Sequence, residues 1–124
     1  MKIVGRVHDN GDPVIALRLR GPGGAVAAVD AILDTGFTNE LALPASVIES
    51  LALQARESVH ITLADGRLSL EPQYAVDVEF FGAWRGVLTI RMEGGPLVGM
   101  EFLGGCHLAM DVVPDGRIEI APLH

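Results

Sequence analysis

Apolar and polar positions along the chain form many short segments, separated by glycine, proline, asparagine and aspartate. Alternation, or a short apolar run, is typical of β-strands when turn residues lie on both sides. This pattern predicts strands at residues 2–7, 14–20, 25–33, 41–43, 58–63, 67–71, 74–81, 84–92, 97–98, 108–112 and 117–120. The sequence therefore predicts an all-β chain.

Helical periodicity is confined to short stretches. Pro44 suits the first turn of a helix, and Val47, Ile48 and Leu51 follow at helical spacing, which predicts a helix over residues 44–51. A second helical turn is predicted after Gly99. One or two short helices thus accompany the strands, and 124 residues without a linker predict a single domain over residues 1–124.

Composition and charge narrow the classes of function. With 49% hydrophobic and 20% charged residues the chain is globular. A net charge of −7 excludes a basic nucleic-acid surface and disfavours anionic membranes. No apolar run reaches the roughly 18 residues of a membrane helix, and no signal peptide is expected. Cys106 is the single cysteine, which excludes an intrachain disulfide and fits a cytoplasmic location.

One acidic residue stands out because of where its strand ends. The apolar run of residues 25–33 is interrupted only by Asp30 and stops at Asp34, which Thr35 and Gly36 follow. An acid in this position lies where the chain leaves the sheet, and loops on a rigid scaffold often carry chemistry. The alternative is an ordinary turn acid, with the Thr35 hydroxyl bonded to nearby backbone.

Residues 32–36, Ile-Leu-Asp-Thr-Gly, resemble the active-site loop of aspartic proteases. Together with Phe37 they resemble the retropepsin-like proteins of bacteria and archaea. Leu97, Val98 and Gly99 match the hydrophobic-hydrophobic-glycine element of that family, whose strand passes behind the aspartate loop and supports it. The two elements occur in the family's order along the chain.

A third feature lies between these two elements. Ala64, Asp65 and Gly66 separate two extended segments, and an Asp-Gly pair in this setting is a strong hairpin signal. In the resembled family a β-hairpin flap lies here and folds over the substrate, which implies a substrate-binding role for these three residues. A plain hairpin turn without such a role explains the same residues equally well.

The resemblance implies an all-β retropepsin-like closed β-barrel, the acid protease fold, and aspartic endopeptidase activity on peptide or protein substrates without metal or cofactor. Asp34 is the implied catalytic residue. Because the chain has one Asp-Thr-Gly motif, the dyad requires a homodimer, with Thr35 reaching the partner's loop and Gly36 letting its N–H approach the carboxylate. The first and last strands, residues 2–7 and 117–121, correspond to dimer-sheet strands in the family.

Three residues depart from the wider family pattern: Phe37 stands where pepsin-like and many viral members have Ser, Thr or Ala, Asn39 where relatives often have Gly, and Glu40 where they tend to have an apolar residue. A non-catalytic module of the same fold that binds a peptide or protein is therefore an alternative function, and an assembly subunit is another. Histidines offer no further chemistry, because a zinc site usually has closely spaced ligands and these four are scattered: His8, His60, His107 and His124.

Overall fold

The computed structural model describes residues 2–123, and Met1 and His124 lie outside this range. The described residues form ten strands and one helix. The strands are β1 Ile3–Val7, β2 Pro13–Arg20, β3 Val26–Leu33, β4 Leu41–Leu43, β5 Ala55–Thr62, β6 Leu68–Phe80, β7 Ala83–Arg91, β8 Leu97–Val98, β9 Cys106–Met110 and β10 Arg117–Pro122. The helix α1 spans Ala45–Ser50. The predicted all-β class is confirmed.

Six strands close into a barrel in the order β2, β3, β8, β4, β7, β6 and back to β2. The closing contact joins Leu19 to Val78 and Arg20 to Asp77 in an antiparallel pair. Strand β5 extends the sheet beyond β6, while β1, β10 and β9 extend it beyond β2. The predicted closed β-barrel is thus confirmed.

Alternation along β2 shows how the sequence forms this barrel. Ile15, Leu17 and Leu19 are at most 2% exposed and belong to the main core. Arg18 and Arg20 face the other side, where the Nη2 of Arg20 lies 2.7 Å from an Asp77 carboxylate oxygen on β6. The predicted two-faced strand is confirmed, and its polar face carries an ion pair across the barrel closure.

Two predicted elements differ in the structure. The separate strands expected at residues 67–71 and 74–81 form the single strand β6, which runs through Pro72. Proline has no N–H for a ladder bond, and the pairing shifts register between Ala55 and Ser58, just where Ser58 faces Pro72. The turn after Gly99 has an N–H···O bond from Leu103 to Gly99 (3.4 Å) but does not form a second helix among residues 2–123.

Candidate active site

Asp34 directly follows β3, and β8 fixes the place where it leaves the sheet. Strands β3 and β8 are parallel, with Leu33 beside Val98. The Asp34 N–H donates to the Val98 carbonyl over 2.9 Å. The backbone of Asp34 is therefore fixed by a segment more than half the chain away, and its side chain is half-buried at the surface of the loop.

The carboxylate of Asp34 is oriented by its own loop, defined here as residues 34–40. The Gly36 N–H donates to the Asp34 Oδ1 over 2.9 Å, and the Phe37 N–H donates to the Asp34 carbonyl over 3.1 Å. A Cβ on Gly36 would lie 3.3 Å from the same Oδ1, which is closer than ordinary van der Waals contact. Glycine thus leaves room for the amide to approach the carboxylate.

Gly99 lies directly behind the Asp34 loop. Its N–H donates to the Glu40 carbonyl over 2.9 Å, and the next two amides, of Met100 and Glu101, donate to the Phe37 and Thr38 carbonyls over 2.8 and 3.2 Å. A Cβ at position 99 would lie 2.0 Å from the Asn39 carbonyl oxygen. This close backbone approach leaves space only for glycine.

The structure therefore brings Asp34, Thr35 and Gly36 together with the Leu97–Val98 strand and the glycine that follows it. Thr35 is exposed, and none of the hydrogen bonds described for residues 2–123 involves its hydroxyl. The local bond considered from the sequence is absent there. The exposed edge of the loop is thus free to contact another molecule.

The hairpin tip at Ala64, Asp65 and Gly66 is exposed at the turn between β5 and β6. Gly66 has a φ of 86°, and the Asp65 carboxylate accepts from the Arg67 N–H over 3.0 Å and from its Nε over 2.6 Å. In the part of the chain that the structure describes, no hydrogen bond joins this tip to the Asp34 loop. The hairpin is present as predicted, and its role as a flap stays a prediction.

A small second hydrophobic cluster connects the Asp34 loop with β5 close to the tip of this hairpin. Its buried members are Phe37, Ala42, Ile61 and Ile90. Phe37 belongs to the loop and Ile61 to β5, and both are less than 10% exposed. The departure from the family pattern at Phe37 thus contributes a large apolar side chain that links two elements of the candidate site.

The sequence departure at Glu40 also has a structural role. The half-buried Glu40 side chain accepts a hydrogen bond at Oε1 from the Leu88 N–H on β7, over 3.3 Å. The bond ties the end of the Asp34 loop to the barrel wall.

Sequence reasoning missed Arg85, because an isolated arginine on a strand matches no motif. Its guanidinium lies 4.3 Å from the Phe80 ring centroid and 4.8 Å from that of Phe102. Its Nη2 donates to the Phe102 carbonyl over 3.1 Å. Arg85 therefore stabilises the turn whose first amides support the Asp34 loop.

One cavity among residues 2–123 has a volume of about 570 Å³, and Asp34 is not among its lining residues. It lies along β6 and β7, with the Arg20–Asp77 ion pair and Glu40 in its wall.

Among residues 2–123 no three His, Cys, Asp or Glu side chains are grouped as metal ligands would be. In the same range no helix is long and apolar enough to cross a membrane. Asp34 is half-buried in the single chain.

Neither a family model nor a curated protein matches this sequence. Solved structures do match its fold. A retropepsin-like aspartic protease from Rickettsia conorii superimposes with a TM-score of 0.60 at 13% identity, covering 100% of this chain and 93% of that one. EIAV protease, complexed with the inhibitor HBY-793, gives a TM-score of 0.59 at 14% identity, covering 74% and 85%. At these identities the likeness concerns the fold.

Proposed function

We propose that this chain, which has a retropepsin-like fold, is an aspartic endopeptidase whose two catalytic carboxylates are Asp34 of two identical subunits. The observation that carries the proposal is the Asp34 loop itself. Its carboxylate is held by the Gly36 amide, and its backbone is supported by β8 and Gly99. The carboxylate and the backbone of Asp34 thus have a defined position at the end of β3.

A homodimer completes the site. One chain supplies one half-buried carboxylate, whereas hydrolysis by this mechanism needs two carboxylates about 3 Å apart. Two copies related by a twofold axis would bring their Asp34 loops together. The hydroxyl of the exposed Thr35 is then placed to bond the neighbouring loop and hold the two aspartates in register.

The chemistry follows from the closeness of two like charges. Two carboxylates at this distance cannot both ionise, so the pair holds one proton, as in aspartic proteases generally. The ionised Asp34 takes a proton from water, which attacks the peptide carbonyl carbon, while the protonated Asp34 donates a hydrogen bond to the carbonyl oxygen. Return of a proton to the nitrogen breaks the C–N bond and frees two peptides.

The substrate in this proposal is an extended peptide. The β5–β6 hairpin, with Ala64, Asp65 and Gly66 at its tip, would close over the peptide and supply backbone groups to it as a neighbouring strand does. The tip itself is exposed. A cytoplasmic location is also part of the proposal. The chain has a single cysteine, which excludes an intrachain disulfide and fits a reducing compartment.

Cleavage of a diverse peptide library by wild type and by Asp34→Asn, from acidic to neutral pH, tests the proposal. Asparagine keeps the size of the side chain but cannot accept the proton, so we expect the rate of cleavage to fall about 100- to 10,000-fold with an unchanged Tm. Equal cleavage by both proteins contradicts the mechanism. Peptide binding without cleavage by either protein instead assigns the non-catalytic binding module.

A further inference from the structure

Alternate side chains of β6 form one face that runs from the hairpin to the barrel closure. Its members are Ser69, Glu71, Gln73, Ala75 and Asp77. On β5, Ile61 lies opposite Ser69 and Val59 lies opposite Glu71. Ile61 belongs to the buried cluster that contains Phe37, and Val59 packs against this cluster. Directly opposed residues share one face of a sheet, so the hairpin end of the β6 face is turned towards the Asp34 loop.

The other end of this face opens into the cavity of about 570 Å³. Asp77 is in the cavity wall together with Gly86, which lies opposite it on β7. A smaller recess shares Glu40 and Leu88 with this cavity and also contains Gln73. The recess and the cavity therefore form one groove along the two strands, called the β6–β7 groove here.

Gly86 leaves the groove without a side chain at a position where the fold does not require glycine. Apart from its chain neighbours, a Cβ there would meet one atom within 4 Å, the Asp77 Oδ1 at 3.8 Å, which is ordinary contact. Glycine inside a strand weakens it, and it often marks a place where a ligand or another backbone comes close. The glycine therefore points to a molecule bound in the groove rather than to packing within the chain.

Carboxylates outnumber cations along this groove. Arg20 in the wall is already paired with Asp77, over 2.7 Å. None of the ion pairs described for residues 2–123 involves Glu40 or Glu71. Both accept from uncharged donors, Glu40 from a backbone amide and Glu71 from the Ser69 hydroxyl over 2.7 Å. A partner with a cationic side chain therefore complements the groove.

The groove lies within reach of a peptide bound at Asp34. One row of neighbours crosses the strands β3, β8, β4 and β7, and it consists of Leu33, Val98, Leu41 and Thr89. Three strand spacings thus separate β3 from β7, or about 14 Å along the sheet. An extended peptide rises about 3.3 Å per residue, so four or five residues cover this distance. A substrate that passes under the hairpin can therefore reach the groove.

We propose that the β6–β7 groove holds a lysine or arginine side chain of the substrate, four or five residues from the cleaved bond, and that Glu40 and Glu71 select it by charge. This inference rests on the proposed function, because the peptide that fills the groove is the one bound at Asp34. It adds a substrate class, peptides with a basic residue at this distance, which the Asp-Thr-Gly motif does not specify.

Peptide binding to the full chain carrying Asp34→Asn tests the groove without cleavage. The probes are two pools of ten-residue peptides of random sequence, alike except that one pool has lysine where the other has the uncharged norleucine. Fluorescence anisotropy at about 0.05 M salt should give an apparent dissociation constant about tenfold lower for the lysine pool. Adding E40Q and E71Q should reduce this ratio to about two or less, because glutamine keeps the hydrogen-bond acceptor and removes the charge.

Two control variants separate the groove from the net charge and from the fold. E49Q/D111N removes two carboxylates from exposed positions on α1 and after β9, and it should keep the tenfold ratio. Gly86→Leu fills the groove and should raise the dissociation constant of the lysine pool about tenfold. Ala109→Leu, at an exposed residue of β9, should leave it unchanged.

Cleavage of the lysine pool by wild type gives the position of the basic residue, which should be enriched four or five residues from the cut. Enrichment at another distance overturns the proposed position. Cleavage without a preference for lysine, or a ratio that E40Q/E71Q leaves unchanged, overturns the groove and leaves the Asp34 mechanism standing. A ratio that depends on Glu40 and Glu71, without cleavage by wild type, supports the groove and overturns the proposed catalysis.

Discussion

Gly99 shows how one residue type can be dictated by its neighbours' backbone. A Cβ there would lie 2.0 Å from the Asn39 oxygen and 2.6 Å from the Phe37 oxygen. Neither atom is the end of a flexible side chain, so the loop or β8 has to shift. Glycine is required at position 99 because this residue packs against the Asp34 loop, which is distant in the sequence. The Leu-Val-Gly motif shows that a glycine is present but does not give this reason.

Gly99→Ala should therefore lower the free energy of unfolding by about 3 kcal/mol, through overpacking of the backbone behind Asp34. Urea denaturation measures the change. Gly23→Ala is the matched control, since a Cβ at Gly23 meets no atom within 4 Å and the expected change is within about 0.5 kcal/mol. Equal stability of the two variants would contradict the close approach.

Phe37 is the second residue whose role is clear only in the structure. The family pattern marks Phe37 as a departure, and the fold uses it as the large member of the cluster that joins the Asp34 loop to β5. Phe37→Ala should cost about 3–5 kcal/mol, because it empties a buried site in this cluster. Leu68→Ala, at a residue 67% exposed, should change stability by less than about 0.5 kcal/mol.

Hydrogen exchange adds a local measurement for the Phe37 variant. The amides of Asp34 and Met100, which bond to Val98 and Phe37, should exchange faster in Phe37→Ala than in Leu68→Ala. Unchanged exchange at both amides would show that the cluster does not stabilise the loop.

At the scale of elements, the strands were predictable because residues typical of turns separate them. Asn10 and Gly11 mark the β1–β2 turn, and Gly11 has the positive φ of 92° that such a turn requires. Strand β6 was harder, because Pro72 is normally a strand breaker. Proline lacks the N–H that a ladder bond needs, and here it lies opposite Ser58, where β5 shifts register; that irregularity depends on the partner strand.

Glu119 on β10 is bonded by two cationic side chains, Lys2 just before β1 and Arg117 on β10. Glu119 of β10 accepts hydrogen bonds from Arg117 over 2.6 Å and from Lys2 over 3.2 Å. These bonds hold the pKa of Glu119 below its usual range, first through Arg117 and then through Lys2. A depressed pKa in the folded state stabilises the fold above the unfolded pKa, and this contribution disappears as pH falls through the folded value.

Glu119→Gln should therefore lower the Tm slightly at neutral pH, and the difference from wild type should vanish in acid, below the folded pKa of Glu119. Thermal unfolding of both proteins across this pH range measures it. A difference that persists or grows in acid would show that the glutamate acts through packing.

At the scale of the whole molecule, closure of the barrel was the part that the sequence alone could not define. The contact of Leu19 with Val78 joins strands far apart in the chain, and no local pattern encodes which strands meet. The resemblance at residues 32–37 and 97–99 implied the barrel, and the matching folds agree with it.

Net charge governs how two whole molecules approach each other. Each chain has a formal charge of −7, and a homodimer joins two such charges. Salt shortens the Debye length from about 30 Å at 0.01 M to about 8 Å at 0.15 M, so the repulsion is screened. The dimer dissociation constant should fall over this range, as measured by sedimentation equilibrium, whereas a rise would indicate ion pairs across the interface.

The parallel pairing of β3 with β8 also sets an order in time. During translation Asp34 is synthesised well before Val98 and Gly99, whose backbone groups bond the Asp34 loop. On a nascent chain the amide of Asp34 therefore has no native acceptor, and the loop cannot take its final shape. The Asp34 loop therefore reaches its final shape only after residues 97–99 have been translated.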